Sequence, residues 1–483
     1  MPDLLTSRQR RLTSAGLLLA MFLGALDQTI VSTALPRIVA DLHGLDRFTW
    51  VATAYLAAST ALVPLYGKLA DMYPRRTLEV LAVSIFLVGS GLCGLAGEFG
   101  PLPGLGDGMT QLIVFRVVQG VGGAGLLALA LIIVADLFPP AERGKYQGLM
   151  GAVFGASSVL GPLLGGWLTD HAGSWVPGMA GWRFIFYVNL PLGVVTLWFI
   201  VTQMPPLRPR TAAQVFDGGS AALLVGGLAL LIVGLQLPKV GPGWASPQAL
   251  ALLAGAVLAL ALFVARSLRH PNPILALSLF GNAVFRPAGL ALFLLGGGFL
   301  GIVLFQPLFM VNVLGESATR AGASLMPVSL GVVSGSILSG QLVARFGHYR
   351  RWMMGGLTLA LGGLALLATM PLTISYYRVL GYLAVCGLGL GPTLPLYTLA
   401  VQNAVAPALV GQATAASQFF RQIGGVLAAS VLGAVLTFTL SRELPAPPLG
   451  NGATHSVVSR EAVSAQPTPA RQAAFAHALK RVY

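Results

Sequence analysis

Apolar runs of about 20 residues recur along the chain, separated by short polar stretches rich in Pro and Gly. About 20 apolar residues is the length a helix needs to cross a bilayer. The pattern predicts thirteen spans, at 13–35, 49–70, 78–96, 111–134, 147–169, 183–203, 217–237, 248–266, 287–312, 322–344, 352–370, 377–400 and 411–438. The alternation over about ten residues that marks a transmembrane β-barrel is not the pattern here. The expected fold class is therefore an all-α polytopic membrane protein. No loop is long enough to fold as a soluble domain.

An internal repeat divides the spans. GKLADMYPRR (Gly67 to Arg76) follows the second span and GQLVARFGHYRR (Gly340 to Arg351) follows the tenth, an offset of 273 residues. Two parallel-repeat bundles with a site between them form a transporter architecture. This predicts an N-terminal six-helix bundle at 1–203, two linker transmembrane helices at 204–285, and a C-terminal bundle of five spans at 286–440. A tail at 441–483 follows. This tail is expected outside the cytoplasm, and ARQAAFAHALKRVY (Ala470 to Tyr483), of helical composition, reads as the amphipathic entry to a fourteenth span that is missing. The alternative is a thirteen-span protein with an exported tail.

Composition and charge sharpen this picture. Hydrophobic residues make up 55% of the chain and charged residues 9%. Mean hydropathy is +0.80, more apolar surface than a soluble protein of this length could bury. The net charge of +14 would suggest nucleic acid in a soluble domain. Here Lys and Arg fall mostly in loops, sixteen on the side of the N-terminus against six opposite, with the tail left out. That bias follows the positive-inside rule. It predicts a cytoplasmic N-terminus in the inner or plasma membrane and no nucleic-acid partner. Cys93 and Cys386 lie in apolar spans and are expected to be free thiols.

Among fifteen acidic residues, Asp27 is the one this reading places deep in an apolar span. A carboxylate there is costly and by default functional. Burial penalises its charged form, so such a group can load and release a proton. The plainer reading is a helix-packing carboxyl, protonated or paired. Arg116 cannot lose its charge, so in its span it needs a cavity, carbonyls or a carboxylate, and Asp27 is the membrane-embedded acid for it to influence. Asp71, with Arg75 and Arg76 beyond it, and Asp136, before Arg143, fall at helix ends on the cytoplasmic face. They can latch those ends as surface pairs, each worth about 0–1 kcal/mol. Gly161, Pro162, Gly165 and Gly166 strip one face of the fifth span, which suits close helix approach with a proline bend. Tyr55, Gln119, Gln306, Tyr397, Gln418 and Arg421 are candidates to line a substrate cavity, or else form packing hydrogen bonds. No metal-ligand cluster, nucleophile–base pair or phosphate loop stands out, so neither a metal, a cofactor nor an enzyme activity is expected.

These residues resemble the major facilitator superfamily, and in particular its fourteen-span drug:proton antiporters. Gly67, Leu69, Ala70, Asp71, Arg75, Arg76 and Thr77 match the superfamily's loop motif between spans 2 and 3, with Pro74 in place of the usual Gly. RVVQG (Arg116 to Gly120), Gly122 and Gly123 match the fourth-span motif. Gly148, Gly161, Pro162, Gly165 and Gly166 match the antiporter motif, with Ser157 in place of a Gly. LDQTIVSTALP (Leu26 to Pro36), WVATAYLA (Trp50 to Ala57), GWRFIFYVNLPLG (Gly181 to Gly193) and RQIGG (Arg421 to Gly425) look like the fourteen-span branch.

The resemblance implies the major facilitator fold, proton coupling through Asp27 and the Arg matched by Arg116, and an outward-open state stabilised by the loop cluster. It implies a monomer in the lipid bilayer that exchanges protons for small hydrophobic or cationic compounds, with a periplasmic adaptor as a candidate partner. Two other readings stay open: a proton-coupled transporter of one metabolite, lipid or peptide, and a non-transporting membrane scaffold or sensor.

Overall fold

A computed structural model describes residues 7–443, apart from 45–46, 206, 208–215, 241–245, 317 and 372–373. The expected tail beyond Glu443 lies outside the described residues. The chain runs through α1 (Ser7–Leu42), α2 (Phe48–Met72), α3 (Arg75–Leu95), α4 (Gly108–Leu137), α5 (Pro140–His171) and α6 (Gly181–Gln203). It continues through α7 (Gly218–Val240), α8 (Pro247–Arg269), α9 (Phe285–Asn312), α10 (Met326–Phe346), α11 (Tyr349–Ala368), α12 (Tyr376–Ala404) and α13 (Val410–Glu443). Among the described residues there is no β-strand, only an isolated bridge between Leu102 and Gly106.

Eleven of these helices are long and apolar enough to cross a membrane. The other two, α2 and α13, have 25 and 34 residues. At 1.5 Å per residue both exceed the ~30 Å hydrocarbon core. Each predicted span is found as a helix, with two kinds of difference. α1, α5 and α13 run past their apolar stretches, because a helix continues beyond the hydrocarbon until its backbone is capped. α12 is interrupted between Leu390 and Thr393, where Pro392 has no N–H to donate.

Helix starts are fixed locally. Asp107 caps α4 by accepting from the Thr110 N–H at 2.9 Å. Arg47 also bonds it, at 2.6 Å, and holds its carboxyl well below the usual carboxylate range.

In the first bundle α4 is central and buried along most of its length. Its glycines admit backbones directly. A Cβ on Gly122 would lie 2.5 Å from the Ala82 carbonyl oxygen of α3. In the second bundle α9 and α13 touch in the same way: a Cβ on Gly296 would lie 2.0 Å from the Arg421 carbonyl oxygen. Close approach through small residues is how helices associate in lipid. Between the bundles, α7 and α8 are tied by Asp217 to Arg266 at 2.9 Å, and α7 packs on α2.

The repeat is visible in the contacts between the bundles. Gly67 of α2 meets α13, where its Cβ would lie 2.3 Å from the Ala415 Cβ. Its counterpart Gly340 of α10 meets α5, where its Cβ would lie 2.7 Å from the Gly144 carbonyl oxygen. Both contacts lie at the end that carries the basic loops. Gln147 donates to Gln402 at 2.7 Å there, and Arg143 donates to Asn403 at 3.3 Å. The two bundles are closed against each other at this end.

Candidate functional site

Asp27 lies in the middle of α1 and is fully buried inside the first bundle. It faces α4 and α6, not lipid. The Arg116 Nη1 donates to its Oδ2 at 2.5 Å. Gln119, one turn along α4, donates to its Oδ1 at 2.8 Å, and the amide of Asn189 in α6 reaches the same oxygen at 3.4 Å. Arg116 is held on its other sides. Its Nε donates to the Val51 carbonyl at 3.1 Å, its Nη1 also to Gln119 at 2.8 Å, and its guanidinium sits 4.3 Å from the centre of the Tyr55 ring. Asn189 in turn donates to Ser90 at 3.0 Å, and Ser90 donates to the Phe186 carbonyl at 2.9 Å.

The sequence named Asp27, Arg116, Gln119 and Tyr55, and the structure gathers all four. Gln119 and Tyr55, named as cavity candidates, are placed in this ionic cluster. A buried ion pair repays its desolvation only when further hydrogen bonds satisfy the remaining lone pairs and protons, which is what Gln119, Asn189 and Val51 do. Protonation of Asp27 would remove the charge that Arg116 neutralises and free the guanidinium toward its other partners. The cluster ties α1, α4 and α6 together through one ionisable acid.

Asn189 was missed by sequence reasoning. Its signal was a polar amide inside the apolar stretch GWRFIFYVNLPLG, a position that favours interhelical hydrogen bonds. Glu79 was missed too, a second fully buried acid, near the start of α3. Neither of its carboxyl oxygens has a hydrogen-bond partner among the described residues. An unbonded buried polar group costs about 1–3 kcal/mol. Glu79→Leu is therefore expected to raise the thermal midpoint of the purified protein, followed by intrinsic fluorescence. A lowered midpoint would contradict this.

At the closed end, Arg75 donates from Nε to Asp136 at 3.0 Å and lies 3.9 Å from Asp71. Asp71 sits against the first turn of α13, where a Cβ on Gly411 would lie 2.3 Å from its Oδ1. A carboxylate is favoured at a helix start. These are not the surface pairs expected from the sequence. Asp71 and Arg75 are each 1% exposed, Asp71 against α13 and Arg75 between Asp71 and Asp136, so the weak-pair estimate does not apply. Arg76 is elsewhere, donating to the Val201 carbonyl of α6. Arg143 bridges to the second bundle through Asn403 and also holds the Phe138 carbonyl at 3.0 Å.

The glycines of α5 split by role. Cβ atoms on Gly161 and Gly165 would lie 2.0 Å from the Thr29 Oγ1 and 2.3 Å from the Thr33 Oγ1 of α1. They seat α5 on α1 beside Pro162, with Thr29 donating to the Ser157 carbonyl at 2.9 Å. A Cβ on Gly166 would meet nothing within 4 Å, so Gly166 is not part of that contact. Gly148 serves the other bundle, its Cβ position 2.5 Å from the Ser336 carbonyl oxygen.

Gln306 and Tyr397 are buried in the second bundle. Gln418 accepts from Arg421 at 3.3 Å. Arg421 alone of the six lines the hollow between the bundles, with Phe154 of α5 and Phe299 of α9.

The chain matches the Major Facilitator Superfamily model over residues 17–429, and it belongs to that superfamily of membrane transporters. It is 38% identical over 428 residues to the multidrug transporter protein MdtP of Bacillus subtilis, covering 89% of this chain and 75% of that one. It is 36% identical over 430 residues to multidrug resistance protein 3 of the same organism, covering 89% and 80%. It is 30% identical over 476 residues to the efflux pump dotC of Dothistroma septosporum, covering 96% and 78%. Among solved structures, the proton:xylose symporter XylE aligns with a TM-score of 0.63 at 16% identity, over 91% of both chains. At that identity the likeness shows the shared fold.

Proposed function

We propose that this transporter is a proton-coupled multidrug exporter of the cell membrane, of the fourteen-span drug:proton antiporter type, working by alternating access. The observation that carries the coupling is the buried Asp27–Arg116–Gln119–Asn189 cluster, an ionisable acid held at the meeting of three helices. Drug export is supported by the multidrug and efflux relatives, and the fourteen-span type by the helix pair α7–α8 between the bundles. With the basic loops placed in the cytoplasm by the positive-inside rule, the closed end is cytoplasmic, and this structure is the state shut to the cell interior. The Asp71–Arg75–Asp136 network under α13 then acts as the latch of that state. A proton taken up at Asp27 from outside favours substrate release and the return to the inward-open state. The partners are protons, small hydrophobic compounds and the lipid bilayer, and the working unit is the monomer.

The test is transport by purified protein in sealed vesicles under an imposed pH gradient, with a lipophilic fluorescent substrate. Accumulation should follow the gradient and collapse with a protonophore. Accumulation indifferent to the gradient would remove the coupling.

A further inference from the structure

We propose that the hollow between the bundles recognises organic anions: amphiphiles with one carboxylate or sulfonate on an apolar body, with Arg421 as the residue that binds the charge. The proposal rests on the exporter reading for the identity of the site and adds to it the charge of the substrate.

The hollow is walled by Phe154 of α5, Leu292 and Phe299 of α9, Ser336 of α10, Thr393 of α12 and Arg421 of α13. No acidic side chain lines it. The Arg421 guanidinium stands 5.3 Å from the Phe154 ring centre. Its hydrogen bonds are two long ones, from Nε and Nη2, both to the Gln418 amide oxygen at 3.3 Å. Among the described residues it has no carboxylate within 4 Å, in contrast to Arg116, Arg75 and Arg266.

The sequence explains why no acid is at hand. From Phe285 to Leu440 the chain has a single acidic residue, Glu316, and that one pairs with Arg320 at 2.7 Å. Asp27 is already neutralised by Arg116. A guanidinium cannot shed its proton, and one placed inside a membrane bundle needs a counter-charge or a water-filled cavity. Its planar fork suits a carboxylate or sulfonate. The wall adds a second anion-favouring feature, since the later half of α12 begins at Thr393 and a helix start carries partial positive charge.

The rings of Phe154 and Phe299 and the side chain of Leu292 suit the apolar body of such a ligand. The volume is about 50 Å³ in this closed-end state, room for an anionic headgroup while the body reaches along the interface. A cationic substrate would meet a like charge here.

The test uses a matched set on detergent-purified protein, by equilibrium dialysis with no ion gradient. Dansylglycine carries the carboxylate, dansylglycinamide is its neutral isostere, and the third probe is a dansyl compound bearing a trimethylammonium group. A charge-assisted hydrogen bond is worth enough for the wild type to bind dansylglycine at least about tenfold tighter than the amide. Arg421→Gln should bring the two within about twofold while amide binding persists as the sign of an intact hollow, and Arg421→Lys should keep part of the preference. Preference for the trimethylammonium probe, no binding of dansylglycine, or an undiminished anion preference in Arg421→Gln would overturn the proposal. Because no gradient is used, vesicle flux that ignores pH would remove proton coupling and leave anion recognition standing.

Discussion

Asp27→Asn is expected to abolish accumulation driven by a pH gradient, down to the level of protein-free vesicles, while the protein still folds. The amide oxygen of an asparagine can accept from Arg116 as the carboxylate does, and the Arg116 bonds to Val51 and Gln119 and its place on the Tyr55 ring do not involve Asp27. The helix seams around it stay filled. What disappears is the group proposed to take up the proton. Substrate exchange without a gradient should survive, because it needs movement of the bundles and not a change of charge at Asp27. The measurement is a paired one on the same vesicles, gradient-driven uptake against equilibrium exchange. Accumulation by Asp27→Asn at the wild-type rate would show that the proton is carried elsewhere, with buried Glu79 then the first residue to substitute.

Much of this architecture was legible because membrane helices write their length into the sequence. An apolar run of about 20 residues has few other stable fates, and all thirteen predicted spans are found as helices. The repeat was legible for a related reason. Gly67 and Gly340 are spaced alike because each lies where one bundle's backbone meets the other's, and a side chain there would collide with Ala415 or Gly144.

Pairings between distant residues were harder to see. Asp27 and Arg116 could each be singled out as costly in hydrocarbon, but 89 residues separate them and only the fold joins them. Asn189 was concealed in a stretch that reads as apolar. Glu79 was concealed by the basic cluster just before it, which made its helix start look like a loop edge. The burial of Asp71 depends on α13 packing against it, which no local pattern records. Gly166 shows the reverse: it matches a motif position, yet a Cβ there would meet nothing.

Arg116→Gln should be the most destabilising single change in the cluster. It leaves the Asp27 carboxylate buried with two amides, Gln119 and Asn189, and no counter-charge. Breaking a buried pair from one side costs about 3–5 kcal/mol, so the thermal midpoint in detergent should fall steeply. The double variant Asp27→Asn with Arg116→Gln removes both charges and should melt above Arg116→Gln alone. It should not return to the wild-type midpoint, because the Arg116 bond to the Val51 carbonyl and the contact with Tyr55 go with the guanidinium. The cycle therefore separates two roles of one side chain: the part recovered in the double variant belongs to the ion pair, and the part not recovered to the tie between α4 and α2. Strict additivity of the two single losses would mean that the pair, short as it is, carries no coupling energy. The helices that Asp27 joins would then have to be held together by the glycine contacts alone.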